Sequence, residues 1–151
     1  MRLLGLRSRT EHELLQGLKR RGVADEDAKA AVARLRELRY MDDREVAATR
    51  AKSSIERGEA PRLVLRRLER HGVSEEVARE AAEEARAGQS DDELAARALQ
   101  RKLRGRAPAA ENSEREKLRL VRALIAKGHR PGAAARAVGI EWTGEDDGSE
   151  D

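Results

Sequence analysis

An apolar pattern that occurs three times along the chain predicts its helices. Aligned on a glycine, the copies read Leu14-Leu15-x-x-Leu18-x-x-x-Gly22, Val64-Leu65-x-x-Leu68-x-x-x-Gly72 and Leu120-Val121-x-x-Leu124-x-x-x-Gly128. Small apolar residues follow each glycine after six, nine and ten positions, a spacing that suits one helical face. The glycines lie 50 and then 56 residues apart, in the range of helical repeat arrays. We interpret these as the structural repeat residues: Leu14, Leu18, Gly22, Leu65, Leu68, Gly72, Leu124 and Gly128.

Start and stop signals place the ends of the helices. Capping pairs stand at Thr10 and Glu13, Asp42 and Glu45, Ser90 and Glu93, and Ser113 and Glu116. Ser74 is a further candidate cap, and Pro61 and Pro131 suit the first helical position. The repeat glycines suit a left-handed C-cap. These signals predict helices over 11–21, 25–38, 43–57, 61–71, 75–87, 91–104, 114–127 and 131–138.

The predicted helices group into units of three. Each unit has a leading helix, a Leu-rich helix that ends at the glycine, and an Ala-rich helix; the first unit has only Leu3-Leu4-x-Leu6 in place of a leading helix. We therefore expect an all-α fold of about three tandem three-helix repeats, the first truncated, in an elongated, curved array. The expected domains are a first repeat at 1–40, a central repeat at 41–89, a third repeat at 90–140 with an insertion at 105–112, and an acidic, disordered tail at 141–151.

Composition narrows the possible functions. The chain has no cysteine, which excludes disulfides, thiolate zinc sites and cysteine nucleophiles. Aromatic residues make up only 1% of the chain, so the core must consist of Leu, Val and Ala. No apolar run approaches 18 residues, and no secretory signal is evident, so we expect a cytoplasmic protein without a membrane span.

Candidate catalytic groups have simpler structural interpretations. The twin acids Asp42-Asp43 and Asp91-Asp92 fit a metal or acid–base site, but they stand where a helix start favours negative charge. The three histidines, His12, His71 and His129, have no i, i+4 partner for a helical metal site. A Gly-rich phosphate loop and a G-x-S-x-G elbow are both missing. We therefore predict no enzyme activity, no metal and no cofactor.

The charge is unevenly distributed. The net charge is +3, but residues 141–151 carry six acids and no base, so the preceding 140 residues carry +9. Arginine supplies 26 of the 32 cations, and its planar guanidinium suits phosphate and carboxylate groups. A basic body indicates an anionic partner, of which nucleic acid is the commonest, while a surface solvated by helical salt bridges stays an alternative.

Three clusters of basic residues are candidate contacts. Arg62, Arg66 and Arg70 have i, i+4 and i+8 spacing, which spreads them over about 80° of one helical face, and none has an acid four residues away. Arg57 and Arg67 adjoin them. The second cluster comprises Arg101, Lys102, Arg104 and Arg106, and the third comprises Arg115, Lys117, Arg119 and Arg122. The first two clusters, with Arg57 and Arg67, are our predicted contacts with a filament or with DNA.

The order of these motifs resembles the RecX family, regulators of the RecA recombinase. The first unit matches at Leu3-Leu4 and at Ser8-Arg9-Thr10-Glu11-x-Glu13-Leu14. Two motifs match in the central unit: Leu38-x-Tyr40-Met41-Asp42-Asp43-x-x-x-Ala47 and Arg57-Gly58-x-x-Pro61-Arg62-x-x-x-x-x-Leu68-x-x-x-Gly72-Val73. The third unit matches at Leu124-x-x-x-Gly128. The resemblance covers about residues 3–138.

The resemblance implies a crescent of three-helix repeats that lies in the groove of a RecA–DNA filament. Such a protein is non-enzymatic and either blocks strand exchange and co-protease activity or caps filament growth, which links it to homologous recombination, DNA repair and the SOS response. The implied partners are RecA and single- or double-stranded DNA, bound without sequence preference, and we expect a monomer. Two alternatives remain: a free-standing basic helical DNA-binding protein that acts without RecA, and a helical-repeat adaptor.

Overall fold

The computed structural model describes residues 9–104 and 114–144, and the described part of the chain is helical throughout. Its helices are α1 (Glu11–Lys19), α2 (Asp25–Glu37), α3 (Asp43–Glu56), α4 (Pro61–Arg70), α5 (Glu75–Arg86), α6 (Asp91–Leu103), α7 (Glu114–Ala126) and α8 (Pro131–Val138). No strand occurs in these ranges, which confirms the all-α prediction. Every predicted helix is present, with its ends within two residues of those expected. Four of the predicted features lie outside the described residues: Leu3-Leu4-x-Leu6, the insertion at 105–112, Ser113 and the tail beyond residue 144.

The predicted caps form the hydrogen bonds that start the helices. At α1, the Thr10 hydroxyl accepts from the Glu13 amide, and the Glu13 carboxylate accepts from the Thr10 amide, both at 3.1 Å. Ser90 and Glu93 form the same capping box at α6. Asp42 accepts from two backbone amides at the start of α3. Side-chain caps of this kind satisfy backbone groups that a helix end would otherwise leave unpaired.

The three repeat glycines end their helices in the same way. Gly22, Gly72 and Gly128 have φ of 82°, 82° and 89°, the left-handed region that glycine adopts without strain. In each turn, the amide after the glycine donates to the carbonyl of the repeat leucine, at 3.1 to 3.2 Å. This is the Schellman arrangement, which turns the chain into the next helix.

Helix packing produces three groups of helices. The first unit contains α1 and α2, the central unit α3, α4 and α5, and the third unit α6, α7 and α8. Separate clusters of buried residues form around Leu14 and Val32, around Val64 and Leu68, and around Leu120 and Leu124. Leu94 of α6 belongs to the central cluster, so the second and third cores adjoin. The exact domain boundaries given above stay a prediction.

The first junction, between α1 and the central unit, is made of polar side chains. The Thr10 hydroxyl donates to the His71 carbonyl at 2.6 Å, and the Glu11 amide donates to the Asp43 carboxylate at 2.9 Å. Burial raises the pKa of Asp43. Gly72 lies so close to His12 that an added Cβ would overlap the His12 side chain. Asp43 thus joins two units, which is a structural role.

The second junction, between the central and third units, combines a backbone hydrogen bond and a buried histidine with charged side chains, among them Lys127, whose ammonium donates to the Arg57 carbonyl at 2.6 Å. The Ala60 amide donates to the Lys127 carbonyl at 2.8 Å, and an added Cβ on Gly128 would lie 2.6 Å from the Leu63 Cβ. His129 is 4% exposed, and its Nε2 lies 3.0 Å from the Gly58 carbonyl. Since a carbonyl can only accept, the Nε2 atom donates. Burial lowers the pKa of His129, so the imidazole is neutral.

Candidate basic interface

Three arginines of α4 form an exposed row, which we name the arginine ridge: Arg62, Arg66 and Arg70. The opposite face of the helix is apolar, with Val64 and Leu68 buried in the central core. None of the three guanidiniums forms an ion pair or hydrogen bond with another residue in the described ranges. The ridge spans about 12 Å, since eight residues separate its ends at 1.5 Å per residue. It presents three charges that no neighbouring carboxylate neutralises.

Arg67 and Arg57 do not join the ridge. The Arg67 guanidinium donates to the Glu59 carboxylate at 2.7 and 2.8 Å. Arg57 donates to the Ser53 and Ser54 hydroxyls at 2.6 and 2.9 Å. Both arginines instead line a pocket between α3 and α4. A ligand on the ridge would therefore meet them only if it also entered this pocket.

The second predicted cluster lies at the end of α6. Arg101, Lys102 and Arg104 are exposed and make no ion pair with a described residue. Arg104 is the C-cap and has a left-handed backbone, with φ of 48°. Arg106, the fourth member, lies outside the described residues.

The third cluster, on α7, is partly neutralised within its own helix. Lys117 pairs with Glu114 at 3.3 Å and Arg119 pairs with Glu116 at 3.4 Å. Ion pairs between exposed side chains three residues apart on one helix contribute little to stability. This arrangement agrees with the solvation alternative for those two residues.

A basic cleft that the sequence did not reveal lies where α1 meets α3 and α4. It has a volume of about 530 Å³ and is lined by Arg9, His12, Glu13, Gln16, Arg20, Arg50, Arg70 and His71. Arg9, Arg20 and Arg70 have no ion-pair partner among the residues that the structure describes. The local signal was partial: positions 12, 16 and 20 share one face of the α1 run, but Arg9 precedes the helix, and the approach of these residues to α4 depends on the fold.

Glu13 organises the base of the cleft. Its carboxylate accepts from Arg50 at 2.8 and 2.9 Å, and it lies 2.7 Å from Nδ1 of His71. The Arg50 guanidinium holds the pKa of Glu13 at about 2, below its ordinary 4.5, although partial burial opposes the shift. One fixed negative charge therefore positions Arg50 and leaves the cleft basic.

The other end of the ridge reaches a smaller cavity of about 130 Å³ at the second junction. Arg62, Arg86, Asp91 and Arg130 line it. Asp91 lies 3.1 Å from Arg130 and 3.6 Å from Arg86, so two of these arginines are already paired. The ridge thus connects two electropositive recesses, one at each junction.

The described ranges contain no group of three or more His, Cys, Asp or Glu residues that could hold a metal ion. In residues 9–104 and 114–144, every helix is too short or too polar to cross a lipid bilayer.

Comparison with known proteins identifies one match. The family model for RecX, first three-helix domain, matches residues 1–35, which include α1, the Gly22 turn and most of α2. Searches of curated proteins and of solved structures found no match. The matched segment carries the first copy of the repeat, and the same leucine–glycine turn recurs twice more in an all-helical array. Residues 1–35 of this chain are thus similar to the first three-helix domain of RecX.

Proposed function

We propose that this protein is a non-enzymatic regulator of RecA that binds the RecA–DNA filament and inhibits strand exchange and co-protease activity. The observation that carries the proposal is the match of residues 1–35 to the first three-helix domain of RecX. The character of the surface is compatible with it, because its basic features include an open recess and an exposed helical row.

The arginine ridge is the proposed centre of the contact. A guanidinium that already holds a carboxylate must lose that bond before it can bind a phosphate, whereas Arg62, Arg66 and Arg70 have no such partner among the described residues. Arg101, Lys102 and Arg104 are a second candidate contact for the same reason. Charges of this kind bind the nucleic-acid backbone without reading its sequence.

A charge-matched pair of variants tests the proposal. The triple variant R62Q/R66Q/R70Q removes the ridge, and R34Q/R79Q/R119Q removes three exposed arginines that pair with Glu37, Glu75 and Glu116. In a strand-exchange assay with RecA, we expect wild type and the second variant to inhibit alike. The ridge variant should need roughly 10- to 150-fold more protein, because it loses three exposed charge contacts, each worth about 0.5–1 kcal/mol. Equal inhibition by both variants would show that the arginine ridge is not part of the interface.

The two alternatives give different results in the same experiments. A free-standing DNA-binding protein would bind naked DNA tightly and with steep salt dependence, and the ridge variant would lower the salt slope by about three. It would affect RecA only by competing for DNA. An adaptor whose charges serve solvation would change neither strand exchange nor DNA binding. Absence of any effect on RecA at excess protein would contradict the proposal.

A further inference from the structure

The pocket between α3 and α4 opens beside the basic cleft, and the two share three lining residues. The pocket has a volume of about 380 Å³, and its floor is formed by Val64 and Leu68 of the central core. Thr49, Ser53 and Ser54 line it with short side chains from α3. Glu13, Arg50 and His71 line both recesses. The two recesses therefore adjoin along one groove: its pocket end offers Val64 and Leu68 beside Arg57 and Arg67, and its other end is basic.

The basic end carries most of the groove's charge. Arg9, Arg20 and Arg70 lie there without ion-pair partners in the described residues, against the single carboxylate of Glu13. At the pocket end, the Arg57 guanidinium donates to the Ser53 and Ser54 hydroxyls, and Arg67 is paired with Glu59. A ligand that complements both ends needs an apolar group joined, at short distance, to several carboxylates.

The end of this chain has that composition. Trp142, the chain's one tryptophan, is 39% exposed, and residues 145–151 carry five acids and no base. Three to five residues separate the indole from Glu145, Asp146 and Asp147, which is about 10–18 Å of extended chain. An aromatic ring of this size buries about 200 Å² and is a common anchor in protein interfaces.

Trp142 does not occupy the groove of its own molecule. Its ring lies against Gly144, and residues 140–144 line neither recess. The segment leaves from α8, which packs on α6 and α7, whereas α1, α3 and α4 build the groove. We propose that the groove binds the C-terminal segment of a second copy of this chain, with the Trp142 indole on the Val64–Leu68 floor and the following carboxylates at Arg9, Arg20 and Arg70.

The proposal goes beyond regulation of RecA and replaces the expectation of a strict monomer. The contact joins two different surfaces, so it is heterologous, and either a reciprocal dimer or a longer chain of molecules satisfies it. The area of one indole and a few ion pairs is small, so association is weak, with Kd on the order of 10⁻⁵ M. Because the basic end relies on exposed charges, added salt weakens the association.

Sedimentation velocity of the full chain from about 1 to 500 µM, a range that brackets this Kd, tests the proposal. Wild type should show a sedimentation coefficient that rises with concentration. The variants W142S and T49F should show none of this rise: the first removes the anchor, and the second fills the pocket without changing any charge. T49S is the matched control and should behave as wild type. A concentration-independent wild type, or association that survives in W142S, would overturn the proposal.

A second measurement does not depend on the fold of the T49F variant. A labelled peptide of residues 141–151 should bind full-length W142S, and the same peptide with Trp142→Ser should bind at least tenfold more weakly. In one outcome, the peptide binds W142S, but the wild type stays monomeric and does not bind the peptide. The segment then occupies the groove of its own molecule, which contradicts association of two copies. Thr49 lies outside the arginine ridge, so inhibition of RecA by T49F reports on the proposed function separately.

Discussion

Polar and charged side chains hold the first junction, whereas the second adds a backbone hydrogen bond and a buried imidazole to its charged contacts. In both junctions, the glycine turn of one unit packs on the start of the Leu-rich helix of the preceding unit. The Gly72 turn meets Thr10 and His12 at the start of α1, and the Gly128 turn meets Ala60 and Leu63 at the start of α4. At the first junction the surrounding contacts include the pair of Glu13 with Arg50, which is only partly buried. At the second, His129 is buried against the Gly58 carbonyl.

The difference means that one geometry can be held by two kinds of chemistry with different sensitivities. Partly exposed ion pairs weaken with salt and with protonation of the carboxylate. A buried neutral imidazole is insensitive to salt but loses stability when it must take up a proton. The first junction should therefore respond to salt and strongly acidic pH, and the second to mildly acidic pH.

The largest expected effect comes from the junction glycines. G72A and G128A each add a Cβ that collides with a residue across a junction. Both positions also have a positive φ that disfavours alanine. We expect each to lower the free energy of unfolding by about 3 kcal/mol, from backbone strain and overpacking together. Urea denaturation measures this. G22A is the control: its φ is 82° but no atom lies within 4 Å of an added Cβ, so it should cost only about 1 kcal/mol. Equal losses at all three positions would show that the turns, and not the junctions, determine stability.

The next effect concerns the second junction. H129L leaves the Gly58 carbonyl without its donor and should cost about 2 kcal/mol at pH 8. Because the folded pKa of His129 is lowered, its contribution is complete above the unfolded value of about 6.5 and is lost as pH falls below it. The difference in unfolding free energy between wild type and H129L should therefore shrink from pH 6.5 downward. H12Q, at an exposed histidine, should keep the wild-type profile; a constant difference for H129L would mean that the pKa of His129 is the same in the folded and unfolded states.

The smallest effect concerns the first junction. E13Q breaks the pair with Arg50 and should cost about 1 kcal/mol at neutral pH, since the site is partly exposed. The folded pKa of Glu13 is about 2, so its contribution is present above 4.5 and is lost as pH falls towards 2. The pKa of Asp43 is raised, so its protonation begins at higher pH than that of Glu13 and favours the folded state, the opposite of the effect at Glu13. Wild type should lose stability towards pH 2 more steeply than E13Q, while E26Q, at an exposed carboxylate, should follow wild type.

Much of the fold could be predicted because the decisive interactions are local. Thr10, Ser74 and Ser90 bond to amides three residues away, and the repeat leucine and its glycine lie four residues apart. Such contacts are readable from spacing alone. The arginine ridge was predictable for the same reason, since i, i+4 and i+8 positions share a face in any α-helix.

The candidate site was only partly predictable, because its other members meet across the chain. Arg67 seemed equivalent to the ridge arginines, but the turn before α4 places Glu59 against it. Arg9, Arg20 and Arg50 showed no cluster in the sequence, because they come from the residues before α1, from its end and from α3. Charge pairing between distant positions depends on packing, which no local period encodes.

By itself, the sequence determined the helices, their caps, the three glycine turns and the single-faced row of arginines, because backbone hydrogen bonds and side-chain periodicity act within a few residues. Only the tertiary structure decided which surfaces meet. It placed the Thr10 hydroxyl on a carbonyl 61 residues away and buried His129 at the Gly58 carbonyl 71 residues away. It also joined an apolar pocket to a basic cleft. Those outcomes depend on desolvation and packing between units, which arise only when the helices come together.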